Sequence, residues 1–158
     1  MRTTAALTLR RCSVTDASGE ARLEAASIGV GEDLVVVVGG GERYHVGAAA
    51  LAISIRSLKD PRVRTTSSYL ASVPGHKEEA LAREGALLLA RALERQVVVT
   101  VGIHDDAIPR HRIQSYLALF DRLMRRVIAL EKRERRAGGR PTGRARAPSR
   151  RRRAVRAR

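Results

Sequence analysis

Three of the four histidines in this sequence lie at the end of an apolar stretch with a glycine close by. His45 lies in RYHVG, His76 in VPGHK and His104 in VGIHD. Imidazoles bind metals, move protons and donate hydrogen bonds, and a neighbouring glycine lets a ligand approach the backbone. The shared context therefore indicates a binding site built where strands end and loops begin.

The three histidines admit three interpretations, and the residues alone leave all of them open. Three imidazoles can hold a zinc ion with one open position, to which Glu78 or Asp105 could add a ligand. The chain has no H-x-H or H-x-x-x-H pair, however. The rings can instead bind the edge of a polar aromatic or phosphorylated ligand. In the third interpretation each ring only satisfies a turn or a buried carbonyl group.

The segment VPGHKEE, residues 73–79, precedes a long Ala/Leu pattern typical of a helix. A helix start presents unpaired N–H groups and the positive end of the helix dipole, which favour an anion. Lys77 adds an ammonium group after the turn at Gly75, and Ser67 and Ser68 in the preceding polar connection offer hydroxyl donors. Together these residues predict a site for a phosphate group.

Composition excludes several classes of protein. No apolar run reaches the roughly 18 residues needed to cross a membrane, and the N-terminus lacks a signal-peptide pattern, so we expect a cytoplasmic protein. Cys12 is the single cysteine, which excludes an intrachain disulfide, and we expect it to be a half-buried strand residue. GGGER at 39–43 matches no nucleotide-binding loop. His111 lies in a basic first helical turn and is expected to be exposed.

The net charge of +15 is concentrated near the end of the sequence. Residues 137–158 hold nine of the 31 basic residues and no acid, so residues 1–136 carry 22 basic against 16 acidic residues. The Arg, Gly, Pro and Ser composition of 137–158 predicts a disordered tail. A basic RNA-associated protein acting through this tail is one hypothesis, but an aromatic content of 3% offers few stacking surfaces for single strands.

Hydrophobic patterning places the strands first and the helices late. The predicted strands are 3–12, 22–29, 34–38, 45–55, 69–73 and 96–103, and the predicted helices are 76–95 and 109–136. A polar connection is expected at 56–68. This order predicts an α+β fold, a largely antiparallel sheet with both helices packed on one face. We expect a single domain at 1–136 followed by the tail.

The patterning also predicts finer features. The β-branched run 34–38 predicts a strand buried on both faces, joined to 45–55 in a hairpin. The expected buried stripe of the first helix is Leu81, Leu88 and Ala92, with Ala80, Leu87 and Ala90 beside it. The stripe of the second is Ile113, Leu117, Phe120, Met124, Val127 and Ile128. The second stripe is wide enough to pack on a sheet or on a second copy, so it predicts a homodimer.

Four blocks of the sequence, taken together, resemble a known family. They are LVVVVGG at 34–40, HVGAAALA at 45–52, SVPGHKEEALA at 72–82 and VVVTVGIHDDAI at 97–108. They are similar to the small prenylated-flavin chaperones, the LpdD-like component that accompanies UbiD-type aromatic-acid decarboxylases. The resemblance covers roughly residues 30–110 and keeps the order and spacing of the blocks.

The resemblance implies a cofactor-binding accessory protein rather than an enzyme. Such a protein would bind reduced prenylated FMN and assist its delivery to a UbiD-type decarboxylase, with a flavin prenyltransferase as a further partner. Carried over by position, the residues that would line the cofactor site are His45 with Gly47, His76 with Lys77, and His104. From the residues alone we add Ser67, Ser68, Gly75, Glu78 and Asp105. The competing enzyme hypothesis is a small hydrolase or lyase that uses a divalent metal bound by His45, His76 and His104.

Overall fold

The structure, a computed structural model, describes residues 7–106 and 108–137. Its elements in chain order are β1 (Thr8–Thr15), β2 (Arg22–Val30), β3 (Asp33–Gly41), β4 (Ala48–Arg56), β5 (Arg64–Ser72), α1 (Glu79–Leu93), β6 (Val97–His104) and α2 (Arg110–Ala137). The predicted tail lies outside the described residues, except for Ala137 at the end of α2. No helix in the described part of the chain is long and apolar enough to cross a membrane.

The six strands form one sheet in the order β1-β2-β3-β6-β4-β5. β6 pairs parallel to β3 and antiparallel to β4, and the other pairings are antiparallel. The mostly antiparallel α+β fold predicted from the sequence is confirmed. The predicted hairpin between the third and fourth strands is wrong, because β6 lies between them and the link from Glu42 to Gly47 passes over its end.

Alternation along the strands puts one apolar face of the sheet against the helices. Leu34, Val36 and Val38 of β3 pair in register with Val97, Val99 and Val101 of β6, and all six side chains are buried. Both helices cover this face. The other face is open among the described residues, with Val37 41% exposed. The prediction that 34–38 is buried on both faces is therefore wrong, because both helices lie on the same side.

α1 buries a face that differs from the predicted stripe, whereas the predicted stripe of α2 is confirmed at Phe120, Met124 and Val127 but not at Ile113 and Leu117. α1 buries mostly small residues, Ala82, Gly85, Ala86, Leu89, Ala90 and Leu93, whereas Leu88 is 39% exposed. α2 buries Tyr116, Leu119, Phe120, Leu123, Met124, Val127 and Glu131, and leaves Ile113 and Leu117 exposed. A Cβ on Gly85 would lie 2.9 Å from the Phe120 ring. This close approach between the helices fixes which side of α2 faces inward.

A buried carboxylate attaches the far half of α2 to the sheet. Glu131, 2% exposed, accepts hydrogen bonds from the Ser27 hydroxyl at 2.8 Å, from Arg10 at 3.2 Å and from Arg95 at 3.3 Å. A buried charge is tolerated only when it is paired and hydrogen-bonded in this way. No local pattern predicted this cluster, because its members are separated by up to 121 positions.

Two leucines on α2 test the observed orientation of this helix. Leu123→Ala should lower the free energy of unfolding by about 2–5 kcal/mol, since the side chain is fully buried. Leu117→Ala, matched in chemistry but 51% exposed, should change it by only about 0.5 kcal/mol. Urea unfolding followed by circular dichroism measures both. Equal losses from the two variants would contradict the orientation.

Candidate functional site

The order of the strands brings three histidines to one edge of the sheet. β3 and β6 run parallel, so Gly41 and His104 end side by side, and the start of β4 pairs with Val101. The link between β3 and β4 carries His45 across this edge. The ring centroids of His45 and His76 are 4.5 Å apart, and those of His45 and His104 are 5.7 Å apart.

Glycine is required where the link crosses β6. The backbone of His45 lies directly on Gly102, where a Cβ would come within 1.9 Å of the His45 carbonyl oxygen. The crossing is held by the Gly47 N–H, which donates to the Val101 carbonyl at 2.9 Å. His45 is therefore positioned by the main chain, with 22% of its side chain exposed.

Glu78 turns its carboxylate inward at the start of α1. Its Oε1 accepts the Ile103 N–H at 3.2 Å and lies 3.2 Å from His45 Nε2, while Oε2 lies 3.8 Å from His76 Nδ1. A Cβ on Gly47 would be 2.7 Å from the Glu78 carboxyl carbon, so the glycine makes room for it. Because Glu78 is drawn inward, α1 begins at Glu79 rather than at the predicted residue 76.

His104 belongs to a second polar group at the mouth of the site. Its Nε2 lies 2.8 Å from Arg43 Nη2 and 3.0 Å from the Asp106 carboxylate, and Arg43 also donates to Asp106 at 2.9 Å. The hydrogen bond with His104, followed by the nearby Arg43 charge, lowers the pKa of Asp106. The sequence reasoning missed Arg43 and Asp106, although each lies two positions from a singled-out histidine.

Asp105 points away from the histidines. Its carboxylate accepts the Glu42 N–H at 3.0 Å and the Tyr116 hydroxyl at 2.8 Å, with Arg112 at 3.6 Å. Burial, followed by the hydrogen bond to Asp105, raises the pKa of Tyr116. Asp105 thus connects α2 to the strand ends, and the structure does not place it in the lining of the site.

The other predicted site residues lie at varying distances from the histidines. Gly75 has φ +87° and forms the turn in which the His76 N–H donates to the Val73 carbonyl, so it positions His76. Lys77 is exposed beside this turn. Ser67 and Ser68 lie in β5 rather than in the predicted connection, paired with Ile53 and Ala52, away from the end of the sheet that holds the histidines.

Two adjoining grooves flank the histidines. One, of about 340 Å³, is lined by Arg43, Tyr44, His45, Val46, His76 and His104. The other, of about 440 Å³, runs over β1, β2 and β3, and its lining includes Arg11, Arg22, Ala26, Val37, Gly39 and Tyr44. Tyr44 and His45 border both grooves, and the Tyr44 hydroxyl donates to Glu24 at 3.1 Å. The edge of the sheet therefore offers a polar cluster next to an apolar floor.

The chain is a small α+β protein whose six-stranded sheet has one open face among the described residues and a histidine cluster at its edge. Residues 17–132 match the family described as the prenylated flavin chaperone LpdD-like domain. Since the match covers well over half of the chain, the protein belongs to this family, as the resemblance predicted. No curated protein matches the chain.

A solved structure shows a similar fold. It is described as the crystal structure of a novel chaperone complex for yeast 20S proteasome assembly, and the two chains are 12% identical. The similarity covers 81% of this chain and 97% of the yeast chain, with a TM-score of 0.52. At this identity the likeness concerns the fold alone.

The contact between Gly47 and Glu78 can be tested by a double-mutant cycle. Gly47→Ala should lower the free energy of unfolding by about 1–3 kcal/mol, because the added methyl group would displace the Glu78 carboxyl. In a Glu78→Ala background the same substitution should cost much less, since the obstructing group is gone. Thermal and urea unfolding measure the four proteins. Additive losses would show that the two residues are not in contact.

Proposed function

We propose that the protein binds reduced prenylated FMN and assists its delivery to a UbiD-type aromatic-acid decarboxylase, without catalysing a turnover itself. The observation that carries the proposal is the groove of about 440 Å³ on the open sheet face, which adjoins the histidine cluster in a chain of the prenylated flavin chaperone family. Its volume lies in the range of about 300–1,000 Å³ typical of small-molecule sites.

The floor of this groove suits a flat, largely apolar ring system. Ala26, Val37 and Gly39 project small or β-branched groups from neighbouring strands, and the Tyr44 ring stands at one side. Apolar ring surface placed against this floor is removed from water, which favours binding. The bound cofactor supplies the redox-active ring, and the chain's own part is to hold that ring and limit its access to solvent.

The polar edge of the ring would face the histidines. His45 and His76 lie between the grooves and α1, and His104 lies at the mouth with Arg43 and Asp106. Imidazoles can donate to carbonyl oxygens or accept from N–H groups, which is what the edge of a reduced flavin presents. These three residues are the proposed ring-edge contacts.

The phosphate group has two candidate positions. The sequence predicted the helix start with Lys77, but the Glu78 carboxylate now lies beside that turn and would repel an anion. Arg11 lies at the far end of the larger groove, without an acidic partner among the described residues, whereas Arg22 pairs with Glu24. We propose Arg11 as the phosphate contact, and Lys77 stays the sequence-based alternative.

Binding and transfer can be measured under anaerobic conditions. The full-length protein should bind reduced prenylated FMN and raise the activity of an apo-decarboxylase above that obtained with free cofactor. His76→Ala should weaken binding by about 1–3 kcal/mol, since it removes a partly buried hydrogen-bonding group. Binding is followed by the change in flavin fluorescence. Absence of binding, with no gain in decarboxylase activity over free cofactor, would refute the proposal.

Matched variants control this experiment. His111→Ala removes an exposed histidine on α2 and should leave the affinity unchanged. Arg11→Ala should weaken the binding of the phosphorylated cofactor but not that of its dephosphorylated form. If Lys77→Ala shows this difference and Arg11→Ala does not, the phosphate lies at the helix start instead.

We also propose a homodimer, but for a different reason from the one the sequence suggested. Most of the apolar stripe of α2 packs against the sheet. The open face over β4, β5 and β6, in contrast, has partly or fully exposed apolar side chains: Leu51, Ile53, Tyr69 and Val98. A second copy of this face could pack on it at about 10 Å, as sheets in a sandwich do. The groove over β1, β2 and β3 would then remain at the side of the interface.

Light scattering tests the dimer directly. The wild-type protein should give the mass of two chains at tens of micromolar. Ile53→Asp, on the open face, should give monomers, because a charge there would be buried against the partner. Leu117→Asp, on the exposed side of α2, should leave the dimer intact. A monomeric wild type would contradict the proposal.

A further inference from the structure

Side-chain atoms that carry lone pairs converge from three residues where α1 begins. His45 Nε2 lies 2.9 Å from His76 Nδ1 and 3.2 Å from Glu78 Oε1, and His76 Nδ1 lies 3.8 Å from Glu78 Oε2. One ligand atom from each residue can be chosen so that all lie within 4.8 Å of one another. The side chains of both histidines are partly buried, and that of Glu78 is 10% exposed.

The separations of 2.9 Å and 3.2 Å from His45 Nε2 are close to the edge length of a tetrahedron of ligands around a small cation. Ligand atoms at about 2.0–2.1 Å from a tetrahedral zinc ion are about 3.3 Å from one another. The distances from His45 Nε2 to His76 Nδ1 and to Glu78 Oε1 lie close to this value, and the 3.8 Å distance from His76 Nδ1 ends on the other carboxylate oxygen, Oε2. Two imidazole nitrogens and one carboxylate are also a ligand set found in catalytic zinc sites.

Protons alone do not give every polar atom of this cluster a hydrogen-bond partner. One proton can bridge His45 Nε2 and His76 Nδ1, but Glu78 Oε2 then remains buried without a hydrogen-bond partner among the described residues. A buried carboxylate oxygen without a partner is costly. A divalent cation between the three groups would satisfy both nitrogens and the carboxylate together.

The ligand groups are held by the fold rather than placed on a flexible surface. The Ile103 N–H and the space left by Gly47 fix the Glu78 carboxyl, and the crossing over Gly102 fixes His45. The turn at Gly75 fixes His76. Such outer contacts orient metal ligands in known sites.

We propose that His45, His76 and Glu78 bind a divalent transition metal of the zinc class, with an open coordination position toward the groove of about 340 Å³. The sequence had suggested His104 as the third ligand, but its Nε2 is engaged by Arg43 and Asp106. Glu78 takes its place. An anionic or carbonyl oxygen of a ligand in the groove could fill the open position. The proposal does not depend on flavin binding.

The test uses Zn²⁺ alone, with full-length, chelator-treated protein that carries no histidine tag. Isothermal titration should show one saturable site per chain. His76→Ala and Glu78→Gln should each weaken binding by more than about 100-fold, a larger loss than removal of an outer contact causes. His111→Ala, which also removes one histidine but lies on α2, should bind like the wild type. Circular dichroism verifies that each variant is folded.

Co²⁺ supplies a second measurement, which does not depend on how well the variants fold. Bound to the wild type, it should show the intense visible absorption of a four-coordinate site with nitrogen and oxygen ligands. Only the weak absorption of the hydrated ion, or the absence of a saturable Zn²⁺ site in the wild type, would overturn the proposal. Equal Zn²⁺ affinity in the wild type and folded Glu78→Gln would overturn it as well.

Discussion

The pairing of β6 between β3 and β4 is the constraint on which the rest of the structure depends. β3 and β4 follow one another in the sequence but lie on either side of β6 in the sheet, so the link between them must cross the end of β6. The crossing places His45 on Gly102 and next to His104. It also puts the start of α1 within reach, because the end of β5 pairs with the start of β4. The site follows from this topology.

Glu78 connects three parts of the site that come from separate segments of the chain. Its carboxylate contacts the β3–β4 link, the end of β6 and the turn before α1. The Glu78 carboxylate is therefore buried at the start of the helix, where an acidic side chain is normally exposed to solvent. Its two histidine neighbours are what make the site polar, while the sheet face beside it is apolar. A ligand with one flat apolar part and one polar edge complements this combination.

The sequence was sufficient for features that are local in the chain. Patterning located β2, β3, β4 and β6, and glycine contexts singled out the three histidines. The patterning misplaced β1, and it assigned the first half of β5 to a connection, because the Thr and Ser residues at 65–68 carry no apolar alternation. The sequence did not predict which strands pair, because the pattern of a β-branched run such as 34–38 is the same whether its neighbour is β4 or β6. The sequence also did not separate two neighbouring acids: Asp105 contacts Tyr116 whereas Asp106 contacts His104, and both lie just beyond the end of β6, where no strand periodicity predicts direction. The stripe of α1 was mispredicted because its buried face contains Gly85, which leaves room for the Phe120 ring.

The two outer strands decide how copies of this sheet can and cannot associate. β1 exposes Arg11, and β5 carries Arg64 with a run of threonine and serine. Charged and polar side chains on edge strands disfavour edge-to-edge pairing of sheets, which leads to aggregation. The open face of the sheet, by contrast, exposes aliphatic and aromatic residues such as Val37 and Tyr69. The sheet is therefore suited to face-to-face contact with another surface rather than to pairing along its edge strands.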